Sequence, residues 1–165
     1  MTDYGRIFLA GAGSAALLIG ALISQYVGGL APCPMCIWQR WPHAAAVLLA
    51  LVAITIGWRF RRAFSGLGGL AALATAAIGA FHAGVEQDWW DGPGTCTAPD
   101  HSTLSADELL AAIESAPLVR CDDIVWQLGL TLAGWNAVIS LGLAALWAWT
   151  AYLPSLPQAS SSASQ

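Results

Sequence analysis

The chain has 165 residues, of which 57% are hydrophobic and only 10% charged. Soluble domains carry about 25% charged residues, so a soluble globular fold is excluded and an integral membrane protein is implied. The formal charge of −4, with six arginines and no lysine, gives no electrostatic footing for a nucleic-acid partner.

A helix crosses a hydrocarbon core about 30 Å thick with about 20 apolar residues, because each residue rises about 1.5 Å. Four stretches meet that length. They predict one all-α domain over residues 1–153, a four-transmembrane-helix bundle set in membrane lipid. Span one is predicted from about Ile7 to Tyr26. The sequence Leu30-Ala31-Pro32-Cys33 faintly resembles a cleavage site. However, Pro32 fills the position before the cysteine, and the apolar run exceeds the about 7–15 residues of a signal core. The segment therefore reads as a true span.

Residues 27–41 are predicted as a short loop, broken by Pro32, Pro34 and Pro42. Span two is predicted over about 42–58, with Pro42 at a first helical position. A basic turn, Trp58-Arg59-Phe60-Arg61-Arg62, leads to span three, about 64–85. Its Gly and Ala content suits close helix approach, which places it inside the bundle. Residues 86–123 form the long polar loop. Within it, Ser105-Ala106-Asp107-Glu108 has capping-box spacing. Leu109, Leu110 and Ile113 follow at helical spacing, and Pro117 ends the run. This is a short amphipathic helix, suited either to the membrane surface or to its own loop. Span four is predicted over about 124–152, with Trp147, Trp149 and Tyr152 as an interfacial belt. The tail, 154–165, is rich in Ser, Ala, Gln and Pro and reads as disordered and cytoplasmic.

Arginines in short loops set orientation. Arg6, Arg59, Arg61 and Arg62 mark the cytoplasmic side, with both termini. Nine of the ten acids lie between Glu86 and Asp123 on the opposite side, as do both cysteine-bearing loops. Disulfides persist in an extracytoplasmic compartment.

All four cysteines fall in those two loops: Cys33 and Cys36 as a C-x-x-C, and Cys96 and Cys121 in the long loop. A C-x-x-C can be a redox pair, half a zinc site or a structural bridge. Zinc sites pair two close-spaced ligand couples, and Cys96 and Cys121 are too far apart in sequence to supply the second. A C-x-x-C bridge closes a tiny loop and restrains the unfolded chain little. Exchange fits best, because adjacent sulfurs stabilise a thiolate and resolve mixed disulfides. The pattern reads as a relay. A disulfide accessible to a soluble partner's thiol passes electrons to a pair beside the lipid. A lipid-soluble quinone is the natural acceptor, since no haem or flavin motif is present.

Arg40, about one turn after Cys36, could lower a thiol's pKa and donate to a quinone oxygen, or it could snorkel to headgroups. His82 and Glu86, one turn apart at the outer end of span three, are candidates for proton supply or a solvated helix end. His43 is a weaker candidate, and His101 reads as a loop residue. Gln39 and Gln87 could cap helix ends. Trp38 and Trp41 could wall a ring-shaped ligand.

The segment Pro32-Cys33-Pro34-Met35-Cys36-Ile37-Trp38-Gln39-Arg40 resembles the first periplasmic loop of the DsbB family of disulfide-generating bacterial inner-membrane proteins. Phe81-His82-Ala83-Gly84-Val85-Glu86, with Trp89, Trp90 and Cys96, is similar to that family's third span and second loop. Cys121-Asp122, Trp126 and Gly129-Leu130 resemble its approach to span four. The resemblance implies a protein-disulfide:quinone oxidoreductase. Cys96–Cys121 would oxidise a DsbA-like periplasmic thiol oxidase, with Cys96 forming the mixed disulfide. Cys121 and Cys33 would form a transient bridge, and Cys36 would face ubiquinone or menaquinone. Arg40 matches the family's quinone-site arginine, and His82 and Glu86 fall near that site. No metal is implied. Two alternatives remain: a vitamin K epoxide reductase-like enzyme, whose C-x-x-C lies late in the chain, and a membrane scaffold with structural disulfides.

Overall fold

The structure is a computed structural model that describes residues 2–55, 58–94, 96, 105–115 and 119–152. Four long helices dominate it: α1 (Asp3–Tyr26), α2 (Pro34–Thr55), α3 (Arg61–Glu86) and α5 (Leu132–Tyr152). At 21 to 26 residues each, they are about 30 Å or more long and can cross a bilayer. A 3-10 turn (Trp58–Phe60) joins α2 to α3, and the short α4 (Ala106–Ser115) lies in the long loop. The helices alternate direction, so the α1–α2 and α3–α5 connections emerge at one end. This is a four-helix membrane bundle, as the composition required.

Helix α3 packs on both α2 and α5, which gives it the central place its small residues predict. Lipid tails are as apolar as leucine, so close packing rather than hydrophobic burial holds such helices together. A Cβ on Gly11 would stand 2.5 Å from Ala50 Cβ, and one on Gly68 would stand 2.7 Å from the Trp147 ring. Trp147 is therefore a core residue, fully buried with Ile7, Ala10, Ala53 and Ala72, and not part of an interfacial belt. Trp149 and Tyr152 remain exposed. At the same end, the buried Asp3 carboxylate accepts from Arg6 Nη1 at 3.4 Å and Arg61 Nε at 3.2 Å. The Arg6 guanidinium stacks 5.0 Å from the Trp149 ring centre.

Two predicted helices have their boundaries corrected. Helix α2 begins at Pro34, not near Pro42, and ends at Thr55 rather than Trp58. The first loop is therefore only 27–33. Pro42 sits inside α2, where its missing N–H disturbs the local hydrogen-bond ladder. The Gln39 carbonyl there takes the Thr75 hydroxyl of α3 at 3.1 Å. The carbonyl that Pro42 leaves without its helical donor is that of Trp38, four residues back. Helix α5 begins at Leu132, not near Ile124. Before it, β1 (Gln127–Leu128) and β2 (Leu130–Thr131) pair antiparallel, so the second loop extends through Thr131. Gly129 turns this hairpin at φ 72°, a conformation that disfavours side chains.

The capping box holds: Glu108 N–H donates to Ser105 Oγ at 3.4 Å, and Ser105 N–H donates to Glu108 Oε2 at 2.9 Å. Leu110 of α4 is exposed. The predicted roles of His101, Pro117 and the 154–165 tail lie outside the described residues.

Candidate active site

Cys33 occupies the N-cap of α2. Its carbonyl accepts the first helical bond from Ile37 N–H at 3.2 Å, and its sulfur accepts from Cys36 N–H at 3.2 Å. Pro34 takes the first helical position, where no N–H is needed. The C-x-x-C thus lies at the positive end of a helix dipole, which favours thiolates. The Cys33 and Cys36 sulfurs are 2.9 Å apart. The Cys33 thiol is pushed far above the ordinary thiol range, first by its hydrogen bond to Cys36 and then by burial.

Cys96 and Cys121 form a disulfide with Cα atoms 4.8 Å apart. Cys121 N–H donates to the Cys96 carbonyl at 2.9 Å. The sequence suggested an accessible bridge, but both residues are buried against Met35 and Val85. Sulfur behaves as a small apolar group, so the long loop tucks its disulfide into the bundle end.

The two pairs meet. Cys33 Sγ, a ring nitrogen of His82 and Cys121 Sγ all lie within 4.8 Å of one another. His82 Nε2 is 3.6 Å from Cys33 Sγ, 3.1 Å from the Cys121 carbonyl and 3.8 Å from Glu86 Oε1. His82 is therefore at the sulfur junction. Such a trio can also ligate a metal, but the Cys121 sulfur is committed to Cys96. Closeness of this kind is what thiol–disulfide exchange requires.

Behind His82 runs a set of amides and hydroxyls. Gln39 Nε2 lies 2.9 Å from His82 Nδ1 and donates to the Met35 carbonyl at 3.2 Å. Asn136 Nδ2 donates to Gln39 Oε1 at 2.7 Å and to Thr75 Oγ1 at 3.2 Å. His43 Nε2 lies 2.8 Å from Asn136 Oδ1. Gln39 is thus a core residue rather than a helix cap. Thr75 and Asn136 were missed at the sequence level. Asn136 carried a signal, since a polar side chain deep in an apolar span is a functional candidate by default.

A cavity of about 510 Å³ opens beside this junction. Cys36, Arg40, His43, His82 and Glu86 line it, with apolar walls that include Leu17 and Ile139. Arg40 Nη1 donates to Gln25 Oε1 at 2.6 Å, and its buried Nε has no partner. One edge of the guanidinium is held by α1, and the residue lines the cavity. Trp38 and Trp41 are exposed and do not line it. Trp126 and Trp135 take the place suggested for them, because α2 starts earlier and turns Trp38 and Trp41 outward.

A model of the family described as disulfide bond formation protein DsbB matches residues 5–150. The chain belongs to the DsbB family. Three relatives are each named disulfide bond formation protein B. That of Neisseria meningitidis serogroup A is 32% identical over 154 residues, covering 87% of this chain and 93% of the relative. That of Azoarcus sp. strain BH72 is 36% identical over 148 residues, covering 81% and 82%. That of Xanthomonas oryzae pv. oryzae is 37% identical over 153 residues, covering 87% and 85%. No solved structure matches the chain significantly. DsbB membership decides against the vitamin K epoxide reductase-like alternative, in agreement with the early position of the C-x-x-C.

Proposed function

We propose that this chain is a bacterial inner-membrane enzyme that makes disulfides de novo for a DsbA-like periplasmic protein and delivers the electrons to a membrane quinone. The carrying observation is the meeting of Cys33 and Cys121 sulfurs within 4.8 Å, while Cys36 lines the adjoining cavity. The arginine distribution supports cytoplasmic termini and periplasmic cysteine loops.

The steps are exchanges of thiolate for disulfide. A partner thiolate attacks Cys96, breaking Cys96–Cys121 and leaving Cys121 as a thiolate. The partner's second thiolate releases the oxidised partner, and Cys96 becomes a thiolate. Cys121 attacks Cys33 of an oxidised Cys33–Cys36 pair, and Cys36 departs as a thiolate. Cys96 then attacks Cys121, which restores Cys96–Cys121 and leaves Cys33 reduced. Two electrons now rest on Cys33 and Cys36.

The cavity fits a quinone head. Its volume falls in the usual ligand range of about 300–1,000 Å³, its walls are mainly apolar, and the guanidinium of Arg40, a lining residue, supplies N–H groups suited to a carbonyl oxygen. Ubiquinone or menaquinone, when bound, supplies a sink for two electrons and two protons. Cys36 at the wall is placed to deliver electrons, and His82 and Glu86 are placed near the proton path.

The test is purified protein in detergent with a reduced DsbA-like partner and a soluble quinone. Partner oxidation should depend on quinone, and Cys36→Ser should abolish it. Normal turnover by Cys36→Ser overturns the reading. Alkylation with a mass-shift reagent separates enzyme from scaffold, since scaffold cysteines would stay bridged whether quinone is supplied or withdrawn.

A further inference from the structure

We infer that Gln39, with Asn136 behind it, is a positioning residue. It holds His82 as the Nε2–H tautomer, so that His82 serves as a hydrogen-bond donor to the Cys33 sulfur during inter-loop exchange. This inference rests on the relay proposed above and assigns a task to residues that the relay itself does not use.

The argument is a count of donors along one chain of contacts. The Thr75 hydroxyl hydrogen goes to the Gln39 carbonyl at 3.1 Å. Thr75 Oγ1 is therefore an acceptor for its other neighbour, Asn136 Nδ2, at 3.2 Å. The second Asn136 amide hydrogen goes to Gln39 Oε1 at 2.7 Å. That fixes which end of the Gln39 amide is oxygen. Gln39 Nε2 then has two hydrogens, one for the Met35 carbonyl at 3.2 Å and one for His82 Nδ1 at 2.9 Å. A ring nitrogen that accepts cannot carry the proton of a neutral imidazole. The proton of His82 is therefore on Nε2, facing the Cys121 carbonyl at 3.1 Å and Cys33 Sγ at 3.6 Å. The carbonyl can only accept, which independently requires the same tautomer. Gln39 and His82 are both buried.

The consequence falls on one step. When Cys96 attacks Cys121 of the Cys33–Cys121 bridge, the Cys96–Cys121 bond forms and the Cys33–Cys121 bond breaks. The electron pair leaves on Cys33. The step is an exchange with no net redox change and no proton transfer. Cys33 is buried, and burial opposes charge there. Two N–H groups aim at that sulfur, Cys36 N–H at 3.2 Å and His82 Nε2–H. The bond from His82 to the Cys121 carbonyl also holds the attacked residue beside the leaving one.

The experiment uses full-length protein in detergent. Nitrogen-15 NMR of histidine-labelled protein, assigned by His82→Gln, reads the tautomer directly and needs no quinone. We expect Nδ1 in the unprotonated range and Nε2 in the protonated range. Gln39→Glu has the same shape but presents only acceptors, so it should move the proton to Nδ1. The second readout is acid-quenched peptide mapping of the Cys33–Cys121 bridge after mixing with reduced partner. Bridge resolution should slow by about 10- to 100-fold in Gln39→Glu, the loss expected for one hydrogen bond to a charged sulfur. Attack of the partner on Cys96 should keep its wild-type rate. A wild-type His82 protonated on Nδ1, or unchanged bridge resolution in Gln39→Glu, overturns the inference. Absence of any quinone-linked turnover would instead strike the relay and leave the tautomer result standing.

Discussion

The inter-loop contact can be isolated chemically. In a Cys36→Ser/Cys96→Ser variant, Cys33 and Cys121 lose their own partners and remain within 4.8 Å of each other. A disulfide needs sulfurs about 2.05 Å apart, so the two must close by less than about 3 Å, within reach of side-chain rotation and a small shift of either loop. One sulfur confined to a sphere of 4.8 Å radius about the other has an effective concentration on the order of a few molar. Glutathione at about 1 mM is then outcompeted by a factor on the order of a thousand, equivalent to about 4 kcal/mol. The assay is mild oxidation of the double variant in detergent with glutathione present, followed by non-reducing peptide mapping. The Cys33–Cys121 peptide should dominate, with glutathione adducts as traces. Predominant adducts on both cysteines would refute the contact, and with it the relay.

Arg40→Ala should raise the quinone concentration needed for half-maximal partner oxidation by about 10-fold or more, the loss of a charged hydrogen bond. Its rate of exchange with the partner should stay near wild type, and stopped-flow partner fluorescence separates the two. Gly68→Ala should destabilise the bundle by about 1–3 kcal/mol through overpacking, because the new Cβ would meet the fully buried Trp147 ring at 2.7 Å. Thermal unfolding in detergent measures this, and the companion Gly66→Ala, with open space around it, should leave the midpoint unchanged.

The spans were legible because apolar length alone decides which segments cross a bilayer. Their edges were less so, for reasons specific to each. Pro42 reads as a helix start under rules learned from water, yet α2 starts at Pro34 and carries Pro42 in its interior. Ile124-Val125-Trp126 is apolar enough to belong to a span, but Gly129 turns the chain into a hairpin first. The cysteines, Arg40, His82 and Glu86 announced themselves by type and spacing; Cys33, Cys36, Arg40, His82 and Glu86 line one cavity, and Cys121 lies beside Cys33 and His82. Gln39, Thr75 and Asn136 gave no such notice together. Their contacts join three helices, and no pattern along a single helix encodes a bond between helices. The burial of Cys96 was hidden for the same reason, since it depends on how the long loop folds back.

The charged knot at the far end has a mechanical meaning. Asp3 ties α1 to Arg61 of α3, and Arg6 rests on Trp149 of α5. Three of the four membrane helices are thus pinned at the end remote from the sulfurs. The set of Gln39, Thr75 and Asn136 ties α2, α3 and α5 nearer the sulfurs, so the helices are held at two levels and only the loops lie outside both. In the proposed relay the cysteine loops are what must move to admit a visiting protein, while the charged end keeps the helices in register.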